Sequence, residues 1–284
     1  MKNYLIFIAL LFVFAIGVAA QPEKLSADQI VARHVASIGT PDAIAASTSR
    51  VLTGSGSLVS KLPRGFMLSG QGQMASTPHN VLFALVFQNP TYPYEKAAYD
   101  GQNASYGLPS GKTSMLGNYL KAQSAILKDG LLEGSLSAAW PLLDLKSAPK
   151  VKLEAAGFAD VDGRPCYKVK YSSSRTGEMK VVLYFDAATF HHVRTEYHYT
   201  IEPSIGTSST DVRSTSRIER YDMTEDFADF KQAGKLALPT TYKITISTEG
   251  QIESVTGTNL RIWSFTVDSV YFDQTLKPEI FKVS

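Results

Sequence analysis

Three histidines, His191, His192 and His198, fall close together in the chain, and imidazole is a common metal ligand. On an extended strand His192 and His198 share a face but lie roughly 20 Å apart at about 3.3 Å per residue. Zinc holds its ligand nitrogens about 2.0–2.1 Å from one centre, so the two cannot chelate one ion. With Arg194 and Glu196 between them on that face, the segment reads as an exposed polar stripe. Gly107-Leu108-Pro109-Ser110-Gly111-Lys112-Thr113 has the residue types of a phosphate-binding loop, but its first glycine stands one residue too close to Gly111. Around Ser105, Gly107 fits a nucleophile elbow while Asn103 occupies the place of the other glycine. Asn103-Ala104-Ser105 matches a glycosylation sequon inside a tight hairpin, where it means little. Carboxylates gather only in Tyr221-Asp222-Met223-Thr224-Glu225-Asp226-Phe227-Ala228-Asp229-Phe230, which reads as an acidic loop between two strands; a cation or sugar site is the alternative. The lone Cys166 cannot form an internal disulfide and reads as a small buried strand residue. No catalytic constellation, metal site or cofactor is expected from these residues.

The elements that would carry them are mostly strands. Ser26 with Gln29 three residues on is a capping box, followed by Ala27, Ile30, Val31, Val35 and Ile38 at helical spacing and a terminating Gly39. Thr40-Pro41 starts a second short helical turn. Strands are expected over 51–60, 66–75, 81–88 and 95–99, with Asp100-Gly101 turning a hairpin towards Tyr106. Residues 113–128 and 131–139 carry Met115, Leu116, Tyr119, Leu120, Gln123 and Leu127 at three- and four-residue spacing, predicting two helices broken near Asp129-Gly130. Strands resume over 150–158, 166–171, 179–185, 191–201, 217–223, 242–248 and 252–267, with a Ser/Thr/Gly-rich loop over 201–211. The turn spacing predicts antiparallel pairing throughout. The run Val81-Leu82-Phe83-Ala84-Leu85-Val86-Phe87 is apolar on both faces, so both are covered or one lines a cavity.

The first twenty residues have the build of a secretory signal: Lys2, an apolar stretch over 4–16, then Gly17-Val18-Ala19-Ala20 before Gln21. Cleavage after Ala20 is expected, with no Cys beside it for lipid attachment and no later segment apolar enough to span a bilayer. Such a chain works in the periplasm, where ATP and NAD are scarce. With 28 Lys+Arg against 26 Asp+Glu, and no basic stripe, nothing points to nucleic acid. Residues 21–284 are long enough for one domain with a proper core, and no linker divides them. The 14 Phe, 14 Tyr and 2 Trp of the whole chain suit a sheet interior or a cavity wall.

Several stretches resemble the outer-membrane lipoprotein-carrier superfamily, the LolA/LolB-like proteins of Gram-negative bacteria. Ala27-Asp28-Gln29-Ile30-Val31-Ala32-Arg33-His34 with Ser37-Ile38-Gly39 is similar to the opening helix of exported members. Ala98-Tyr99-Asp100-Gly101 resembles a family hairpin. Gly163-Arg164-Pro165-Cys166-Tyr167-Lys168-Val169 with Leu183-Tyr184-Phe185-Asp186-Ala187-Ala188-Thr189 resembles its paired strands ending in an Asp-x-x-Thr turn. Asp226-Phe227-Ala228-Asp229-Phe230 with Leu238-Pro239 resembles a late strand pair of relatives. The resemblance implies a mainly β (α+β) fold: a single strongly bent antiparallel sheet or incomplete β-barrel, closed by helices over an apolar cavity for acyl chains. This chain is longer than a dedicated carrier, and none of its arginines matches those gating a carrier cavity.

The expected cavity wall comes from side chains sharing a face at two-residue spacing: Phe66 and Leu68; Phe83, Leu85 and Phe87; Leu183 and Phe185; and Trp263. Leu116, Tyr119, Leu120 and Leu127 would turn inward from the helices. The same residues could instead pack a solid core. The functional expectation is a non-enzymatic, periplasmic binding or carrier protein for lipid or lipoprotein acyl chains. The alternative is an envelope protein-interaction or sensor module on the same fold.

Overall fold

The computed structural model describes residues 23–61, 65–107, 114–145, 150–201, 219–252 and 255–283. The expected signal segment, the 201–211 loop beyond Ile201 and most of 107–113 lie outside the described residues. Helix α1 (Ala27–Ile38) opens the described chain. Ser26 Oγ accepts from the Gln29 N–H at 3.2 Å, and the Gln29 side chain accepts from the Ser26 N–H at 2.9 Å. This closes both ends of the capping box. Ala27, Ile30, Val31, His34 and Ile38 form its buried stripe. Helix α2 (Pro41–Ala46) is capped by Thr40, with proline at the start where its missing N–H costs nothing.

Twelve strands follow: β1 (Arg50–Lys61), β2 (Phe66–Ser76), β3 (Val81–Phe87), β4 (Tyr94–Tyr99), β5 (Ala104–Gly107), β6 (Lys152–Val161), β7 (Arg164–Ser172), β8 (Lys180–Asp186), β9 (His192–Ile201), β10 (Glu219–Ala233), β11 (Leu236–Ile252) and β12 (Val255–Phe272). They form one antiparallel sheet in the order β5-β4-β3-β2-β1-β12-β11-β10-β9-β8-β7-β6, not closed into a barrel. Every neighbouring pair is consecutive in the chain except β1 and β12. Two meanders are thus joined by pairing the first strand with the last. This order explains the helices. Strands β5 and β6 are opposite edges of the sheet, so the chain between them must cross its whole face. That crossover carries α3 (Met115–Ala122) and α4 (Ala125–Lys128), with Leu116, Tyr119, Leu120 and Leu127 buried as expected. Tyr119 reaches the β9 half, its hydroxyl donating to the Tyr197 carbonyl at 3.3 Å.

One buried cluster runs through the described interior and takes in both meanders, α1 and the crossover. The outer face of β2–β4 is covered by the C-terminal stretch: Leu276, Ile280, Phe281 and Val283 pack on Ala75, Leu82, Ala84 and Ala98. Cover on both sides accounts for the doubly apolar β3 except at Val86, which is half exposed. Among the described residues no helix is long and apolar enough to cross a membrane.

Four expectations are corrected. Residues 131–139 are not a helix but a loop with a single 3-10 turn, Gly134–Leu136. Glu133 and Gly134 both sit at positive φ, 69° and 47°, which breaks a right-handed helix. The buried Arg50 guanidinium claims the carbonyls of Ser135, Leu136 and Ser137 at 2.8, 3.3 and 3.2 Å, acceptors that a helix would use internally. Residues 113–128 are also interrupted earlier than expected, at Gln123 and Ser124, which cap α3 and precede α4.

The acidic segment is no loop: it is the middle of β10, paired to β9 and β11. Alternation turns Met223, Glu225 and Phe227 inward, while outward Asp222 and Asp226 meet cationic or imidazole partners. Asp226 lies 2.6 Å from Arg194 and 2.8 Å from Lys243, and Asp222 lies 2.8 Å from His198. Finally, His192 does not share the face of Arg194, Glu196 and His198. Tyr184 pairs with Arg194 but Phe185 pairs with His192, leaving Val193 as an extra residue. This bulge reverses the inside–outside parity and buries His192 completely.

Candidate functional site

The concave face carries most of the residues expected to line a cavity. Phe83, Leu85, Phe87, Leu183, Phe185 and Trp263 are buried there together with Leu116, Tyr119 and Leu120 from the crossover. Leu68 is half-buried, and Phe66 sits at the rim with 37% of its surface exposed. Across β1 and β2 the inner face is lined by Gly54, Gly56, Gly70 and Gly72, which face one another in pairs. The space over two of them is occupied. A Cβ at Gly56 would stand 2.7 Å from Leu85 Cδ2, and one at Gly72 would run into the Phe265 ring. Phe83 meets Tyr242 edge-on at 6.3 Å, and Tyr242 stacks on Phe227 at 5.2 Å. These rings and Leu85 therefore pack as a solid layer in the middle of the sheet.

Polar anchors lie at two places in this apolar wall. In the first, Glu95 on β4 is fully buried and accepts from Ser114 Oγ at 2.5 Å, from the Tyr92 hydroxyl, and from Trp263 Nε1 at 3.2 Å. Burial outweighs these donors and pushes its carboxyl up to about 7. Trp263 is thus fixed to a carboxyl as well as forming wall. In the second, Glu225 on β10 accepts the Glu133 N–H at 2.9 Å, the Tyr197 hydroxyl at 2.5 Å and the Tyr242 hydroxyl. Desolvation again dominates and raises it to about 7. The Glu133 carboxyl is itself buried with both oxygens unpaired; desolvation first, then the nearby Glu225, holds it well above the usual carboxylate range. These acids tie the crossover loop and α3 to the sheet, through Glu133 and Ser114.

A neutral histidine pair completes this layer. His34 on α1 donates from Nδ1 to the Phe190 carbonyl at 3.0 Å and accepts from Trp140 Nε1 at 3.0 Å. That fixes its tautomer, and burial lowers it to about 4. His192 stacks under Trp140 at 4.7 Å and hydrogen-bonds Thr195 Oγ1 at 2.8 Å; burial holds it well below the usual range for imidazole. Among the described residues no group of three or more His, Cys, Asp or Glu could hold a metal ion. Sequence reading missed Glu95, Glu133, Glu225, His192 and Arg50 as interior residues. For Glu225 a signal existed: it alternates with Met223 and Phe227, so any inward assignment of those takes it inside too.

No family model and no curated protein sequence matches the chain. Among solved structures it is similar to a LolA superfamily protein from Nitrosomonas europaea, with 13% identity, 92% of this chain and 99% of the other covered, and a TM-score of 0.46. It is similar also to a putative outer membrane lipoprotein-sorting protein domain from Vibrio parahaemolyticus, at 9% identity, 89% and 94% coverage and a TM-score of 0.45. A DUF1329 family protein from Desulfovibrio piger aligns at 9% identity over 90% of this chain and 97% of the other, with a TM-score of 0.40.

Proposed function

We propose that residues 21–284 form one exported, periplasmic domain that binds or carries the acyl chain of a lipid or lipoprotein, without catalysis. The observation that carries this reading is the crossover. Leu116, Leu120, Ile126, Leu127, Leu131 and Leu132 are fully buried against the concave sheet, yet α3 and α4 have only eight and four residues. Helices this short hold together through packing rather than through their own cooperativity. Acyl methylenes, each worth about 0.8 kcal/mol on burial, could replace those leucine contacts and displace the crossover. Phe83, Leu85, Phe87, Leu183, Phe185 and Trp263 would then be the wall, with Phe66 and Leu68 at its entrance. A second reading is favoured by one specific observation, the filling of the space over Gly56 and Gly72 by Leu85 and Phe265. A permanently solid interior suits an envelope sensor that binds a partner protein with its surface.

Fluorescent fatty-acid uptake separates the two, using Phe83→Glu, Leu85→Glu and Phe87→Glu one at a time with circular dichroism alongside. A wall that opens admits water to the new carboxylate, so the variant stays folded and loses the probe. A solid core unfolds instead, because an unpaired buried charge costs several kcal/mol. Absence of uptake by the wild-type protein at every probe concentration would leave the sensor reading.

A further inference from the structure

We infer that a cleft where the two sheet edges approach each other is a binding site for an organic anion with an apolar body. Its walls come from the β2–β3 and β4–β5 turns, from the crossover after α4, and from β7 with the turn beyond it. Its volume is about 410 Å³, within the range of small-molecule sites. This goes beyond the acyl-chain reading, since the cleft lies at the edge of the sheet rather than in its interior.

The ligand class follows from which polar groups are already satisfied. Asp129, whose side chain is only 4% exposed, accepts Arg175 Nη1 at 2.8 Å on one oxygen. Its other oxygen accepts Ser173 Oγ at 2.5 Å and the Tyr171 hydroxyl at 3.5 Å. Three donors, one of them a guanidinium, already serve this acid. Asp144, the other acid of the cleft, has an interaction partner of its own. The Tyr99 hydroxyl is spent on the Gly101 carbonyl at 2.8 Å. Apart from the His79 imidazole, what remains among the described side chains is donors. Among the described residues Arg175 uses only Nη1 of its fork, and Lys128 has no partner. Asp129 holds the Arg175 guanidinium in place and keeps it charged, which leaves its other N–H groups oriented for an acceptor. Beside these donors the lining also offers apolar surface, from Leu127, Leu143, Val151 and Tyr171. A carboxylate or phosphate on a short hydrocarbon body matches both halves.

The test is isothermal titration of the full mature chain with octanoate, octyl phosphate, octylamine and octanol. The site predicts binding of octanoate or octyl phosphate, whichever head group the donors fit better, and binding of octylamine and octanol weaker by about tenfold or more. Lys128→Glu should remove octanoate and octyl phosphate binding while leaving the thermal transition unchanged, since Lys128 has no partner to lose among the described residues. Arg175→Gln should weaken both anions. Unchanged affinity in Lys128→Glu would overturn the site; this is also the result expected if the probe entered the sheet interior, so it separates this inference from the acyl-chain reading. Octylamine binding as tightly as octanoate, or no binding of either anion, would overturn it as well.

Discussion

Replacing Glu225 with Gln should change the pH dependence of stability in one direction. In the folded protein burial raises this carboxyl from 4.5 to about 7, against the pull of Tyr197, Tyr242 and the Glu133 N–H. Between those values the unfolded chain has released the proton and the native chain still holds it. The native state is therefore favoured fully below about 4.5, and this contribution is lost as pH rises through about 7. At 1.36 kcal/mol per pH unit the loss amounts to roughly 3 kcal/mol. Glu95, raised likewise, declines over the same window, while His34 and His192 gain stability with rising pH, so the wild-type curve mixes opposing slopes. The difference between Glu225→Gln and wild type cancels those shared terms. The facing groups Tyr197 and Tyr242 stay protonated across the range, and burial, then the nearby Glu225, holds the Glu133 carboxyl well above the usual carboxylate range. Urea unfolding followed by tryptophan fluorescence from about pH 4 to about pH 8 should show the variant gaining roughly 3 kcal/mol on wild type. Parallel curves would refute the raised carboxyl. A variant that loses ground as pH rises would mean that the three donors outweigh desolvation and that Glu225 is ionised in the fold.

Other outcomes follow from the same contacts. His34→Gln should blunt acid unfolding: His34 lowered from 6.5 to about 4 contributes stability that is present above about 6.5 and lost as pH falls through about 4, roughly 3 kcal/mol in total, read as midpoint against pH. Arg50→Ala should destabilise by about 3–5 kcal/mol in chemical denaturation, because it strands three buried loop carbonyls that share one cation. N-terminal sequencing of the exported protein should begin at Gln21 or within a residue or two; Met1 retained on membrane-bound protein would remove both the signal and the periplasmic assignment.

Much of the architecture could be read from local grammar. Ser26 with Gln29, and Thr40 with Pro41, mark helix starts whose geometry depends on adjacent residues alone. The strands declared themselves through alternation and turns. Parity failed where one residue was added: Val193 bulges between His192 and Arg194, and no composition cue distinguishes it from a regular strand position. The 131–139 segment has helical spacing, but Arg50, far away in sequence, takes its carbonyls, and a Cβ at Gly134 would stand 2.7 Å from both His192 Nδ1 and Phe227 Cζ. Glu95 falls in an expected strand, where a carboxylate is ordinarily solvated, and Glu225 in a stretch that reads as an acidic loop. Only the strand order, which sends the crossover over both, explains their burial.

The central claim is that the concave face receives an acyl chain. Native mass spectrometry of the protein purified from its own envelope tests it most directly. The account predicts a population heavier than the polypeptide by the mass of an acylated lipid or lipoprotein fragment, lost on delipidation. Bare polypeptide mass alone, or a partner protein as the sole adduct, would contradict it.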